Sequence, residues 1–270
     1  MKKLYFLGPK GTYSEIAAKK INEFLRDEYI LEEISTITKI VDLIGENDIA
    51  ILPIENSIEG IVRPTIDALY EYDVQIQAQL DIDIKHCLFS SGSKKENIKY
   101  IISHPQALAQ CSKYILKNFD SDIKLIESTS TAAALVDIID KSEQYSAIAS
   151  SQAGKKLGLN LIDENIGDNK DNKTRFVLIS KNKIDIGKNT RTSIVFNTKN
   201  EPGALLSILE IFKKYNLNLI YLESRPSKKV FGEYNFFADI DKGVDEIGLA
   251  LCEIRKECNF YKLLGSYPSV

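Results

Sequence analysis

The stretch "VQIQAQLDIDIK", Val74–Lys85, decides how the rest of the chain is read. Val74, Ile76, Ala78, Leu80, Ile82 and Ile84 alternate with polar residues, the period of a strand with one wet face. A strand this long can cross from one sheet to another, so the chain is expected to form two lobes, residues 1 to about 80 and about 82 to 160. One arrangement repeats on both sides: an apolar strand, a polar loop, an amphipathic helix. Upstream, "LYFLG" leads into "PKGTYSEIAAKKINEFL" and "DIAILPI" into "ENSIEGIVRPTIDAL". Downstream, "IKYII" leads into "SHPQALAQCSKYIL", "IKLIE" into "STSTAAALVDII" and "SAIAS" into "SQAGKKLGL". This alternation predicts parallel α/β sheets. Thr12 with Glu15, and Ser103 with Gln106, have the spacing of capping boxes, and Pro64 suits the first turn of a helix.

A sixth strand opens at "TRF" within "DNKTRFVLIS", Asp171–Ser180, and returns the chain to lobe one over residues 165–184. Thr174 and Arg175 stand at its entrance, and the period of two sends Thr174 and Phe176 to one side and Arg175 to the other. Ligands of open α/β sheets sit beyond the carboxyl ends of strands, at helix N-termini whose free N–H groups favour anions. The cleft between the lobes is therefore expected to take a small carboxylate.

Residues 185–191 read as a linker. From Thr192 the order is strand "TSIVFN", helix "LLSILEIFKKY", strands "LNLIYLES" and "EYNFFADI", helix "VDEIGLALCEIRKE" and strand "FYKLLGSY", a ferredoxin-like βαββαβ unit over 192–270. Regulatory, metal-handling and RNA-related modules share that order. The absence of clustered basic residues disfavours RNA. Over all 270 residues, 35 Lys plus Arg against 38 Asp plus Glu leave a net charge of −3, which points to neither a nucleic-acid nor a membrane partner. The apolar start "MKKLYFLGPKG" is too short for a secretory signal, so a cytoplasmic protein is expected. Cys87, Cys111, Cys252 and Cys258 form no CxxC pair, and His86 and His104 are not at ligand spacing, so neither a metal site nor a disulfide is expected.

Taken in order, "GPKGTYSE", "LPIENSIEG", "SHPQALAQC", "STAAA", "TRF", "EPGAL", "ESRP" and "LGSYP" resemble a monofunctional bacterial prephenate dehydratase with a C-terminal ACT regulatory domain, over nearly the whole chain. Leu206 follows "GAL" where that family often has Val, a difference of packing more than of ligand choice. The resemblance implies a bilobal catalytic domain like the periplasmic binding proteins (1–184), then the ACT domain. It also implies decarboxylation and dehydration of prephenate to phenylpyruvate, with feedback by phenylalanine and no metal or organic cofactor. Arogenate dehydration, or a non-catalytic module binding a small carboxylate, are the alternatives.

Carried onto this sequence, the resemblance makes Thr174 the essential residue of "TRF", with Glu55, Asn56, Ser103 and Gln110 as further catalytic candidates. Thr174 is expected to donate to the leaving hydroxyl. Glu55 is its rival for the proton if desolvation raises its pKa. Arg175, Phe176, Gly11, Thr12, Ser57, Ser130 and Thr131 are expected to line the substrate site, and His104 to serve in positioning. An ordinary Asx turn also accounts for Glu55 and Asn56, a helix cap for Ser103, and a capping role for Ser130 and Thr131. In the C-terminal unit, "NEPGALLSILEIF" and "ESRPSKK" assign phenylalanine to Gly203, Ala204, Leu205, Glu223, Ser224, Arg225 and Pro226. In the family that this chain resembles, phenylalanine binds between two such units, so the resemblance implies a homodimer or homotetramer.

Overall fold

Backbone pairing in the computed structural model, which describes residues 2–227 and 233–270, sorts the strands into three sheets. Lys228 and Lys229 of the "ESRPSKK" stretch lie outside the described residues. The first lobe contains β1 (Lys3–Leu7), α1 (Tyr13–Phe24), β2 (Ile30–Ile34), α2 (Ile37–Leu43), β3 (Ile49–Asn56), β4 (Gly60–Ile61), α3 (Arg63–Glu71) and β5 (Gln75–Asp83). The second contains β6 (His86–Ser90), β7 (Tyr100–Ser103), α4 (Pro105–Gln110), α5 (Ser112–Asn118), β8 (Lys124–Glu127), α6 (Thr131–Ile138), β9 (Tyr145–Ser150), α7 (Ser151–Lys156) and β10 (Asn160–Asp163). The chain then returns as β11 (Lys173–Ser180).

In lobe one the sheet order is β2-β1-β3-β11-β5, with β4 beside β3. β1 is parallel to β2 and β3, but β11 runs antiparallel to both β3 and β5. The all-parallel expectation is thereby corrected. β1, β3 and β5 all run toward the cleft, whereas the returning chain enters the sheet from the cleft end. In lobe two the order is β10-β6-β9-β7-β8, with β7 parallel to β8 and β9 and with β6 antiparallel to β9 and β10. The alternating strand does not itself cross between sheets. It ends at Asp83, and Ile84 and Lys85 make the passage, held where the Tyr13 hydroxyl donates to Lys85 O (2.7 Å) and accepts from Lys85 N (2.9 Å).

Neither capping box forms as spaced. Thr12 is the N-cap of α1 but makes no side-chain cap bond, and Glu15 accepts instead from the N–H of Gly11. Ser103 is the last residue of β7, fully buried, and His104 takes the N-cap position of α4 with its Nδ1 accepting from Gln106 N. The strand runs one residue further than the spacing suggested, which turns the Ser103 hydroxyl into the core, where it donates to Ile148 O at 2.7 Å.

The C-terminal unit comprises β12 (Arg191–Thr198), α8 (Ala204–Lys214), β13 (Leu219–Pro226), β14 (Tyr234–Ile240), α9 (Val244–Glu257) and β15 (Cys258–Tyr267), in the sheet order β13-β14-β12-β15. α8 and α9 bury Ile208, Ile211, Phe212, Ile247, Ala250 and Ile254 on one face of this sheet, against Ile194, Phe196, Ala238 and Ile240. The other face lies on lobe one: Val195, Phe237, Leu264 and Tyr267 share a single core with Leu52, Ile54, Leu69, Val177 and Ile179. Polar contacts fasten the same face. Lys262 Nζ donates to the carbonyls of Leu69 (2.8 Å) and Tyr70 (3.3 Å) at the end of α3. Gln79 of β5 exchanges backbone bonds with Pro268 and Val270. No helix among the described residues is long and apolar enough to cross a membrane.

Gly265 brings β15 close against β5. A Cβ built there stands 2.3 Å from Ile76 O and 2.9 Å from Ile76 N, both backbone atoms that cannot turn aside. Gly265→Ala is expected to destabilise the chain by about 1–3 kcal/mol, the range for overpacking a filled interior. Urea unfolding checks this, and an unchanged midpoint would show that the two strands separate freely.

Candidate active site

The register between β3 and β11 pairs Thr174 with Asn56 and Arg175 with Glu55. Adjacent residues of a strand face opposite sides, so each motif is divided between two surfaces. Asn56 and Thr174 face the cleft end, both 9% exposed. Asn56 Oδ1 accepts from the N–H groups of Ile58 (3.0 Å) and Glu59 (3.1 Å), an Asx turn. Because backbone N–H groups can only donate, the orientation of this carboxamide is settled, and Nδ2 must be its other end. Nδ2 stands 2.9 Å from Thr174 Oγ1, 2.9 Å from Asn172 Oδ1 and 3.1 Å from Lys173 O. The Thr174 oxygen is thus an acceptor toward Asn56, and its own proton is left to point elsewhere.

The same polarity continues into lobe two. With Asn172 Oδ1 accepting from Asn56, Asn172 Nδ2 donates to Gln110 Oε1 at 3.1 Å. His86 Nε2 lies 3.0 Å from that same oxygen. Gln110 Nε2 therefore turns toward Glu59 Oε1, at 3.4 Å. Burial, opposed by the bond to Gln110, holds the His86 pKa below its usual value. Four segments meet in this chain of amides: the turn after β3, the entrance of β11, the end of α4 and the start of β6. Ser57 braces it, its Oγ accepting from Lys173 N at 3.0 Å while its N–H donates to Lys173 O at 2.9 Å.

A second approach of the lobes occurs at the first loop. Gly11 has φ of +87°, and a Cβ there stands 3.2 Å from Ala132 Cβ and 3.5 Å from Ala153 Cβ, so the Gly11–Thr12 turn packs on the beginnings of α6 and α7. Ser130 is the N-cap of α6, accepting from Ala133 N at 3.0 Å, and Thr131 is its first residue. Thr12 Oγ1 donates back to Leu7 O at 3.4 Å.

Four expected site residues are corrected. Glu55 shares the face of Arg175, where its Oε2 stands 3.0 Å from Nη2, close enough for an ion pair but off-angle for a directed hydrogen bond. It is on the wrong side of β3 to deliver a proton beside Asn56. Arg175 is 8% exposed and committed to Asp239 of β14, Nη1 to Oδ2 at 2.5 Å, so it meets the C-terminal unit rather than the cleft. Asp239, fully buried, also accepts from Ser193 Oγ, which is bonded in turn to Tyr267 OH at 2.6 Å. Phe176 is 2% exposed within the core of Leu4, Phe6, Ala17, Ala18 and Ile21. Ser103 spends its hydroxyl on Ile148 O and has no exposed surface.

Asn172, His86 and Glu59 belong to the network, although the motifs had not singled them out. For Asn172 a signal exists, since it stands two residues before Thr174 and extended backbone puts both on one side. Among the described residues, no group of three or more His, Cys, Asp or Glu stands where it could hold a metal ion.

In the C-terminal unit, Gly203, Ala204 and Leu205 line a groove of about 300 Å³ together with Thr198, Glu201, Tyr234 and Phe236. Gly203 has φ of +86°, a conformation that favours glycine. The "ESRP" residues divide by side. Arg225 Nη2 turns to lobe one, 3.0 Å from Asp67 Oδ1 on α3, which removes it from that groove. Glu223 accepts from Tyr221 OH at 3.1 Å. Ser224 is paired with Phe236 and Pro226 with Tyr234 across β13 and β14, beside the groove.

A family model described as prephenate dehydratase matches residues 4–184. The prephenate dehydratase of Methanocaldococcus jannaschii is 42% identical over 265 residues, covering 96% of each chain. The crystal structure of prephenate dehydratase in complex with L-Phe from Arthrobacter aurescens superposes with a TM-score of 0.85 at 30% identity, covering 99% of this chain and 90% of that one. A structure described as GqqA, a novel type of quorum quenching acylase, has a TM-score of 0.86 at 25% identity, covering 100% and 98% of the two chains.

Proposed function

The chain belongs to the prephenate dehydratase family, and on that premise we propose how its cleft turns prephenate into phenylpyruvate. The ring carboxylate leaves as carbon dioxide, its bonding electron pair flows through the ring, and the ring hydroxyl departs from the opposite position. One proton, taken up in net from solvent, converts the departing hydroxide to water, with Thr174 hydrogen-bonded to the oxygen as it leaves. Aromatisation supplies the driving force, so the protein has to hold two carboxylates, feed a hydrogen bond to the leaving oxygen and keep water away.

The observation that carries this reading is the 2.9 Å bond from Asn56 Nδ2 to Thr174 Oγ1. It makes the hydroxyl an acceptor on the Asn56 side and frees its proton for the substrate's leaving oxygen. That donation strengthens as negative charge grows there, which is the property of a group that lowers a barrier rather than merely binding. Gln110 Nε2 offers a second donor from lobe two, and the first turn of α6 offers free N–H groups to a carboxylate. Glu55 has no part in this scheme, being held by Arg175. The near match in fold to a structure described as an acylase leaves the chemistry to be decided by such residues. Mixing the purified chain with prephenate and following phenylpyruvate tests the reading. Formation of none would overturn it.

Phenylalanine is the effector, in this proposal, at the groove of Gly203–Leu205. The open backbone there suits an α-carboxylate, and Phe236 and Tyr234 offer an apolar wall. The exposed Ile220 and Leu222 on β13, an edge strand among the described residues, support a homodimer through this unit. A chain ending near Lys188 is a poor control, because it strips the cover from Val177, Ile179 and Arg175. Gly203→Val serves better, since a β-branched residue is strained at this φ. It is expected to raise the half-inhibiting phenylalanine concentration by about 10-fold or more, equivalent to at least ~1.4 kcal/mol of lost binding. Turnover without phenylalanine is the reference for each chain. An unshifted inhibition curve, or a native chain indifferent to phenylalanine, would remove the groove as the site.

A further inference from the structure

His86 is 5% exposed, yet its Nδ1 has no hydrogen-bond partner among the described residues. Burying an imidazole with half of its polar capacity unmet is unfavourable, so packing alone is a poor reason for it. What the ring does make is the 3.0 Å contact from Nε2 to Gln110 Oε1. The orientation of that contact is fixed from the far end of the network. Two backbone N–H groups set Asn56, Asn56 sets Asn172, and Asn172 reaches Gln110 at its oxygen. Nε2 must therefore carry a proton and donate it. Gln110 Oε1 then holds two donors, from two different segments, and cannot turn into the cleft.

We propose that His86 is a positioning residue for the dehydratase reaction: its Nε2–H pins the oxygen of Gln110, so that the nitrogen end of the carboxamide faces the cleft, with one N–H toward Glu59 and the other for the anionic substrate. If the amide turned over, a carbonyl oxygen would face a carboxylate or a departing hydroxide, replacing attraction by repulsion. Asn172 supplies one of the two donors, from the entrance of β11 in the lobe-one sheet, and His86 supplies the other from lobe two. His86 opens β6 and Gln110 closes α4, so both belong to lobe two, and the bond between them holds Gln110 to its own lobe once Asn172 has fixed the direction of the amide. The proposal rests on Gln110 touching the substrate.

Steady-state kinetics of a double-mutant cycle on the full chain test it. His86→Leu removes the donor and is expected to lower kcat/KM for prephenate by about 10-fold, chiefly through KM, as loss of one orienting hydrogen bond implies. His86→Gln puts an N–H near the place of Nε2 and is expected to restore kcat/KM to within about 3-fold of the native chain. In a Gln110→Ala background, His86→Leu should cost less than about 2-fold, because nothing remains for His86 to hold. Equal losses in the two backgrounds, with Gln110→Ala itself impaired, would overturn the positioning role and leave Gln110 as a substrate contact. A Gln110→Ala chain with native kinetics would overturn both. Should His86→Leu fail to fold, His86→Gln against the shorter His86→Asn decides, and identical activity of those two would overturn the proposal.

Discussion

Thr174→Ala is expected to lower kcat on prephenate by about 10²-fold or more, the size of a positioned proton-donating group, while KM changes little. The fold should survive, because the hydroxyl's partner, Asn56 Nδ2, keeps Asn172 Oδ1 and Lys173 O as acceptors. Thr174→Ser retains the oxygen and is expected to keep much of the activity. Single-turnover measurements separate the chemical step from binding, and melting curves exclude unfolding as the cause. Near-native turnover of Thr174→Ala would mean that the leaving hydroxyl is served by another group. Glu55 is not that group in this arrangement, and Glu59, at the mouth of the network, would be the next residue to replace.

The largest effect on stability is expected from Asp239→Leu. Asp239 is fully buried and faces Arg175, which lies in the interface between lobe one and the C-terminal unit. Burial disfavours the guanidinium charge, but Asp239, Tyr267 and Glu55 outweigh it and hold the group more firmly protonated than usual. Removing Asp239 leaves a buried cation with only the half-exposed Glu55, and breaking such a pair costs roughly 3–5 kcal/mol. Urea unfolding measures this directly. Pairing Asp239→Leu with Arg175→Met should recover most of the loss, because an apolar pair of similar volume needs no counter-charge. A single-variant cost below about 1 kcal/mol would show that water reaches Arg175 and that the interface opens.

Much of the architecture follows from local pattern. The strand–loop–helix repeat marks β1, β3, β7, β8 and β9 with the helices that follow them, and the strand β11, and the βαββαβ order is legible from Thr192 onward. Residues 30–43 hold β2 and α2, which the repeat leaves unassigned because "ILEEI" carries two carboxylates in five positions and sits at the sheet's edge. Antiparallel β11 is likewise hidden, since strand direction depends on where the chain re-enters the sheet and not on the strand's own residues.

The site divides in the same way. Period-two geometry determined by itself that Thr174 and Arg175 face apart, and by the same rule Glu55 and Asn56. Which side is the cleft was not in the strand. It was decided when the C-terminal sheet covered one face of lobe one, drew Arg175 to Asp239 and Glu55 to Arg175, and left Asn56 and Thr174 facing lobe two. Ser103 was decided by one residue of strand length, which exchanged a capping hydroxyl for a core one. His86 carries no local signature, because its partner lies 24 residues away on another element. Hydrogen-bond direction is a property of the whole network: a side-chain amide can donate or accept at either end until a backbone N–H elsewhere removes the choice.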